Sequence, residues 1–449
     1  MTSSEDKARA LGFWLCLALV VGNMIGSGIF LLPAQLAPYG WNAIFGWLFS
    51  IGGVLCVAYV FAKLAAAMPK AGGPYVFVQA AFGPMPAFAV MWSYWIATWV
   101  GNAAIAVAAI SYLSLFAPAL ANAPGLGAAA TIALLWSLTA INCASVRAAG
   151  GFQLVTTLIK LIPLIAVILI SALVVGEGRQ VAQLPFRTED VSLAGITTAA
   201  TLTLWALLGV EAAAVGEGKV CDPARNIPRA TMIGILIVGA VYLLVSTPVI
   251  LLMPAEQAAA SNAPLADFVA LYWSPGLAMF VALFAAVSAI GTINGWTLLQ
   301  GEMLLTMSRQ GTFPRWFAKT SANGIAVRAQ ILSSSLASLL IAANYSRSIG
   351  GLFTFMALVS TAAALVLYLA CSLAALRLQR TDRMAGSAVL TMIASLAALY
   401  AIWTLYGAGA EAVAWGIVLI AAGFPIYLLT IRANRSSPAA AANPAALGE

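Results

Sequence analysis

Three features of this sequence could do chemistry inside an apolar environment: the carboxylate of Glu211, the ammonium of Lys160, and the segment Gly22-Asn23-Met24-Ile25-Gly26-Ser27-Gly28-Ile29-Phe30. All three lie within long apolar runs. In hydrocarbon an unpaired backbone N–H or C=O costs several kcal/mol, so non-helical backbone survives only where it lines a cavity or where a ligand replaces the missing partners. The glycines and serine of residues 22–30 should break a helix halfway along its length. Broken helices of this kind mark the binding site in many secondary transporters. An ionisable residue deep in a span is costly and usually functional. For Glu211 three roles stay open: a proton-sensitive gate, a counter-charge for a cationic ligand, or a protonated carboxyl bonded between helices.

The elements that must position these groups follow from composition. Of the residues, 63% are hydrophobic and 8% are charged, and the mean hydropathy is +0.99. The expectation is an all-α integral membrane protein. Apolar stretches of spanning length fall near 11–37, 41–68, 83–116, 125–145, 150–175, 192–216, 229–253, 275–307, 328–345, 350–376, 385–407 and 411–431, about twelve spans. With the amino terminus in the cytoplasm, 18 of the 21 Lys and Arg fall on inner loops and inner ends, leaving Arg179, Arg187 and Arg347 outside. That bias favours an even number of spans with both termini cytoplasmic, in the cell's inner membrane. The net charge of +7 is then met by anionic lipid of the inner leaflet. No compact basic domain exists to bind nucleic acid.

Residues 1–10 read as a cytoplasmic tail, 11–431 as one domain and 432–449 as a disordered cytoplasmic tail rich in Ala and Pro. Although residues 1–25 have a basic start and an apolar centre, no clean small-x-small cleavage site follows, so they read as a retained first span. The cysteines are scattered without a CxxC pair, so neither disulfides nor a metal site is expected. No cofactor is expected either. The sequence has no histidine, so any proton coupling must use carboxylates, tyrosines or a lysine. A membrane-embedded enzyme would need a catalytic constellation, and without His, metal cluster or paired intramembrane carboxylates none is visible. A sensor would need a cytoplasmic output domain of some size, which is also missing.

A repeat is suggested by Trp205-Ala206-Leu207-Leu208-Gly209-Val210-Glu211, five spans after the first break and at comparable depth. An odd offset inverts the second half relative to the first, giving repeats at 11–175 and 192–376 with two further helices over 385–431. Matched glycine interruptions in an inverted repeat point to a midplane site. For Gly209 alone, close helix packing explains the glycine equally well.

At these residues the sequence resembles the amino acid-polyamine-organocation (APC) superfamily, and within it the basic amino acid/polyamine antiporters. The motifs are GNMIGSGIFLLPAQLA at 22–37, AGGPYVFVQAAFGP at 71–84, YWIATWVGN at 94–102, TLWALLGVEAAAV at 203–215, DPARNIPRAT at 222–231, GWTLLQGE at 295–302 and SRQGTFPRWFAK at 308–319. The resemblance implies a LeuT-like 5+5 inverted repeat with spans one and six broken. It also implies a small-molecule amino acid or amine substrate, and an optional homodimer through spans eleven and twelve.

By the same resemblance, the substrate's α-carboxylate and α-amino group would meet backbone at Ile25, Ser27, Gly28, Trp205 and Leu208, and its distal cation would lie near Ala97, Thr98, Asn102 and Trp296. Asn23 and Ser360 are further expected substrate-binding residues. An indole face offers a cation about 2 kcal/mol when desolvated, although Trp296 could also be a packing aromatic. Trp205 and Tyr94 are implied as gates, with ordinary core roles as the alternative. Tyr75 matches a tyrosine linked to pH response and could instead be an interfacial anchor.

Lys160 departs from the arginine/agmatine-exchanging members of the family, which carry no lysine there. Proton-coupled and exchanging permeases of the superfamily do carry one, its ammonium standing where related transporters bind sodium. It could equally snorkel to the inner interface. The function expected is exchange of a cationic amino acid, arginine by preference, for a related amino acid or its decarboxylated amine such as agmatine. The alternative is a proton-coupled or facilitative permease of broader range using Lys160.

Overall fold

The computed structural model describes residues 12–26, 28–68, 73–144, 159–178, 184–209 and 222–435. Among these residues every regular element is helical. A backbone surrounded by lipid must satisfy its own hydrogen bonds, and a helix does so within one segment.

The elements are α1 (Phe13–Met24), α2 (Gly28–Leu36), α3 (Trp41–Ala67), α4 (Pro74–Phe82), α5 (Pro84–Leu113), α6 (Leu126–Ala144), α7 (Leu161–Gly176), α8 (Leu193–Ala206) and α9 (Pro223–Leu252). There follow α10 (Ala255–Ala260), α11 (Pro264–Tyr272), α12 (Pro275–Arg309), α13 (Val327–Ala343), α14 (Ile349–Arg380), α15 (Ala388–Gly407), α16 (Gly409–Ala421) and α17 (Gly423–Arg435). Among the described residues, eight helical stretches are long and apolar enough to cross a membrane, the last of them formed by α16 and α17 together. Expected spans one, five, six and nine are represented among the described residues by shorter apolar helices. The first is split into α1 and α2, and the others are represented by α7, α8 and α13.

Local chemistry sets where these helices begin. α4, α5, α9, α11 and α12 each open with proline at the first position, where its missing N–H is no loss and its fixed φ suits the helix. Ser192, Ser274, Ser348 and Ser387 cap α8, α12, α14 and α15, each hydroxyl accepting from the backbone N–H three residues on. Such caps contribute about 1 kcal/mol each.

The helix at the centre is α5. In its most apolar stretch 94% of residues are buried, against 22% for α16–α17 at the periphery. It packs chiefly on α14 and α12. Polar side chains join the packed helices: the Ser93 hydroxyl donates to the Ala363 carbonyl at 2.6 Å and the Trp95 indole to Ser333 at 3.0 Å. On the other side of the molecule Ser50 of α3 donates to the Ala200 carbonyl of α8 at 2.7 Å. Interhelical hydrogen bonds of this type average under 1 kcal/mol each, but they fix register.

Candidate functional site

Two helices stop in the interior, and the site is built from their ends. α1 ends at Met24, where Ile25 turns out of helical geometry (φ −71°, ψ 89°). A helix end leaves four carbonyls without intrahelical partners. Here the Val21 carbonyl accepts from the N–H of Ile25 and the Met24 carbonyl from the Tyr242 hydroxyl at 2.6 Å. The Gly22 and Ile25 carbonyls both accept from the Lys160 ammonium, the latter at 2.9 Å. Lys160 is 2% exposed, so its side chain runs inward to cap α1 instead of outward to an interface. A cation at the carboxyl end of a helix also meets the negative end of the helix dipole.

The chain resumes as α2 at Gly28, whose first turn is fully buried. Its position abuts the second break. A Cβ on Gly28 would lie 2.7 Å from the Ala206 Cβ and 3.2 Å from the Trp205 ring. α8 ends at Ala206, the next turn closes through bonds from Leu207 to Leu204 and from Leu208 to Trp205, and Gly209 has φ +105°. Glycine adopts such a φ without steric cost, so Gly209 serves the break itself and not only helix packing.

Between the two breaks and the α5, α12 and α14 walls lies a small cavity of about 40 Å³, lined by Met24, Gly26, Gly28, Tyr94, Ala97, Gly101, Ile105, Trp205, Ala206, Leu208, Thr292, Trp296, Ser360 and Ala364. Its aromatic lining is Tyr94, Trp205, held edge-on by Phe353 at 5.1 Å, and the half-buried Trp296. Among the described residues lining it there is no Asp, Glu, Lys or Arg.

Besides the phenol of Tyr94, two hydroxyls line the cavity, and both have their protons committed. Ser360 donates its proton to the Ala97 carbonyl at 2.7 Å, and Thr292 donates to the Ser288 carbonyl at 3.0 Å. A hydroxyl has one proton and two lone pairs. With the proton committed to the helix backbone, each oxygen can offer the cavity only an acceptor. At these two positions the lining is suited to a ligand group rich in N–H donors.

The structure gathers Gly28, Tyr94, Ala97, Trp205, Leu208, Trp296 and Ser360 around this cavity. Other expected residues turn elsewhere. The Thr98 hydroxyl donates to the Trp95 carbonyl at 2.7 Å, and the Asn102 amide donates to Gln300 at 3.0 Å; neither lines the cavity. Each follows a lining residue by one position, and one residue along a helix is a rotation of about 100°. Ile25 is buried and contributes its carbonyl to Lys160. Lys160 stands behind the break and not in the cavity. Tyr75 lies on α4, away from the lining, with its phenol pushed above its usual pKa by burial and, secondarily, by Tyr427. Ser27 and Glu211 lie outside the described residues, and of Asn23 only the helical backbone is described.

Met24, Gly26 and Ala206 lie in the two interrupted segments but were not named as site residues, and sequence reasoning missed Gly101, Ile105, Thr292 and Ala364. Helix register could have found several of them: Gly101 and Ile105 are four and eight residues from Ala97, and Ala364 is four from Ser360.

Residues 11–433 match the family described as amino acid permease. Among curated relatives, the cadaverine/lysine antiporter of Escherichia coli (strain K12) is 33% identical over 351 residues, 77% of this chain and 78% of that protein. A Bacillus subtilis (strain 168) protein, provisionally named an arginine/ornithine antiporter, is 32% identical over 459 residues, covering 94% and 97% of the two chains. The putrescine transporter of Escherichia coli (strain K12) is 26% identical over 427 residues, with the same coverage.

Proposed function

The chain belongs to the amino acid permease family and is a transporter, not an enzyme; from that premise we propose that it is an antiporter exchanging a cationic amino acid, arginine by preference, for a related amino acid or its decarboxylated amine. Twelve spans in a 5+5 inverted repeat, in the inner membrane with both termini cytoplasmic, would carry the exchange by alternating access. The observation that supports the substrate reading is the pair of acceptor-only hydroxyls, Ser360 and Thr292, in a lining that also holds the indoles of Trp205 and Trp296. An ammonium or guanidinium has donors and no acceptors and gains from the indole faces. The amino end of α2 suits the substrate carboxylate, since free N–H groups and the positive end of the helix dipole converge there. Relatives named for cadaverine and lysine, for arginine and ornithine, and for putrescine support the same class. Calorimetry of arginine against citrulline, its neutral counterpart of nearly equal shape, tests it. The reading requires citrulline to bind at least about tenfold more weakly, the cost of one or two mismatched buried polar groups; equal affinities would remove the cation from the account.

A second reading rests on Lys160. Its ammonium on the Gly22 and Ile25 carbonyls occupies a place where a metal cation could otherwise hold the broken helix. A proton-coupled or facilitative permease of broader range would use that group in place of sodium.

A further inference from the structure

The carboxyl ends of α12 and α17 meet on a face that is rich in positive charge. Residues 303–328 hold Arg309, Arg315, Lys319 and Arg328, and residues 412–435 hold Arg432 and Arg435, with no Asp or Glu in either stretch. The two stretches are joined. The Asn434 side-chain amide donates to the Gly311 carbonyl at 2.9 Å. Phe313 packs on Trp92 of α5 with ring centres 5.8 Å apart, and the Trp92 indole donates to the Leu419 carbonyl at 2.9 Å. Between them opens a groove of about 600 Å³, lined by Pro314 and Arg315 on one side and by Ile426, Leu429, Thr430 and Ala433 of α17 on the other.

The four α17 positions share one face of that helix and run about 10 Å along it. Leu429 is 65% exposed, so the strip is apolar and open. Across the groove stands Arg315, also exposed, whose guanidinium has no hydrogen-bond, ionic or ring partner among the described residues. Arg328 is placed differently: it donates to the Trp316 carbonyl at 2.6 Å and lies over that indole at 4.2 Å. Trp316 itself is 57% exposed, and an open indole beside a row of cations is the composition of a membrane interface. Any lipid chain could cover the apolar strip alone. The cation beside it is selective, because the planar guanidinium fork matches a phosphate group.

We propose that this groove is a specific site for an anionic phospholipid, with its phosphate on the Arg315 guanidinium and one acyl chain along Ile426, Leu429 and Ala433. With the orientation given above the lipid belongs to the inner leaflet, where each Lys or Arg near the anionic surface favours binding by roughly fivefold. Bound there, it covers the seam between α17 and the 311–318 segment and braces the ends of α5 and α12 that pack against it. The site does not depend on which substrate is exchanged.

The experiment is native mass spectrometry of the full chain in detergent, titrated with dioleoylphosphatidylglycerol or with dioleoylphosphatidylcholine. The first phosphatidylglycerol is expected to bind the wild type at least about fivefold more tightly than phosphatidylcholine. Arg315→Gln should remove that difference and Arg315→Lys should keep part of it. Arg187→Gln, in the segment before α8, should leave it unchanged. Arg315 is exposed, so its variants should fold; if they do not, Ala433→Glu decides, since a carboxylate set in the groove should abolish the preference. Equal binding of the two lipids to the wild type would overturn the proposal, as would a preference that survives in Arg315→Gln. Displacement of the bound lipid by excess inorganic phosphate would also overturn it, and would assign Arg315 to a soluble anion.

Discussion

Replacing Lys160 with methionine keeps the length and apolar stem of the side chain and removes its ammonium. The structure shows what then loses a partner: the Gly22 and Ile25 carbonyls at the end of α1. A buried acceptor left unpaired costs roughly 1–3 kcal/mol, so two set a loss of up to about 6 kcal/mol. Against this runs the relief of no longer burying a cation, several kcal/mol for a buried ammonium. The two are of similar size, so Lys160→Met is expected to fold with a melting temperature near that of the wild type in detergent. Position is the part that does not cancel. Without the cap, the α1 carbonyls turn to other donors and the gap between Met24 and Gly28 moves with them. The expected result in calorimetry is arginine affinity weakened by about 1.4–2.8 kcal/mol, tenfold to a hundredfold in Kd. Lys160→Arg keeps the charge but spreads it over a planar fork, and should restore only part of the loss. A folded Lys160→Met protein that binds arginine within twofold of the wild type would refute the claim that this cap holds the site.

Three further expectations follow from the same geometry. Gly28→Ala places a methyl 2.7 Å from the Ala206 Cβ; overpacking of this kind costs about 1–3 kcal/mol, so a lowered melting temperature with abolished uptake is expected, and normal uptake would show that the two breaks need not touch. Trp296→Leu removes a cation-π partner worth about 2 kcal/mol, roughly thirtyfold in Kd for a cationic ligand, while leaving the fold intact; unchanged calorimetric affinity for arginine would take Trp296 out of the site. Tyr75→Phe should leave the pH profile of exchange between pH 5 and 8 unaltered. Burial raises the phenol's pKa above its ordinary value of 10.0, so it stays protonated and neutral through that window. Its contribution to stability is present below pH 10 and is lost only as pH rises past it. A shifted acid limb in the Phe variant would contradict this.

Where glycine or charge carried a signal, the sequence was legible. The break after Met24 was expected because three small residues cluster inside an apolar run, and Trp205, Leu208 and Ala97 were expected because they sit in long family motifs. Thr98 and Asn102 were expected in the lining for the same reason, and a motif does not say which face of α5 its members occupy. Each is about 100° off the cavity face and bonded elsewhere. Thr292, Ala364 and Gly101 drew no attention because an alanine, a glycine or a threonine in a span looks like ordinary packing until the facing helix is known. Lys160 could not be resolved at all from sequence. A long stem reaches either an interface or the interior, and only the position of the α1 carbonyls decides between them.

Central to the account is obligatory exchange of cations, and uptake of labelled arginine into proteoliposomes tests it most directly. The vesicles are loaded with agmatine, with arginine or with no amine, each with and without an inward proton gradient. Uptake that occurs only into amine-loaded vesicles is the predicted result. Proton-driven uptake into empty vesicles would contradict it and transfer the account to the Lys160 reading.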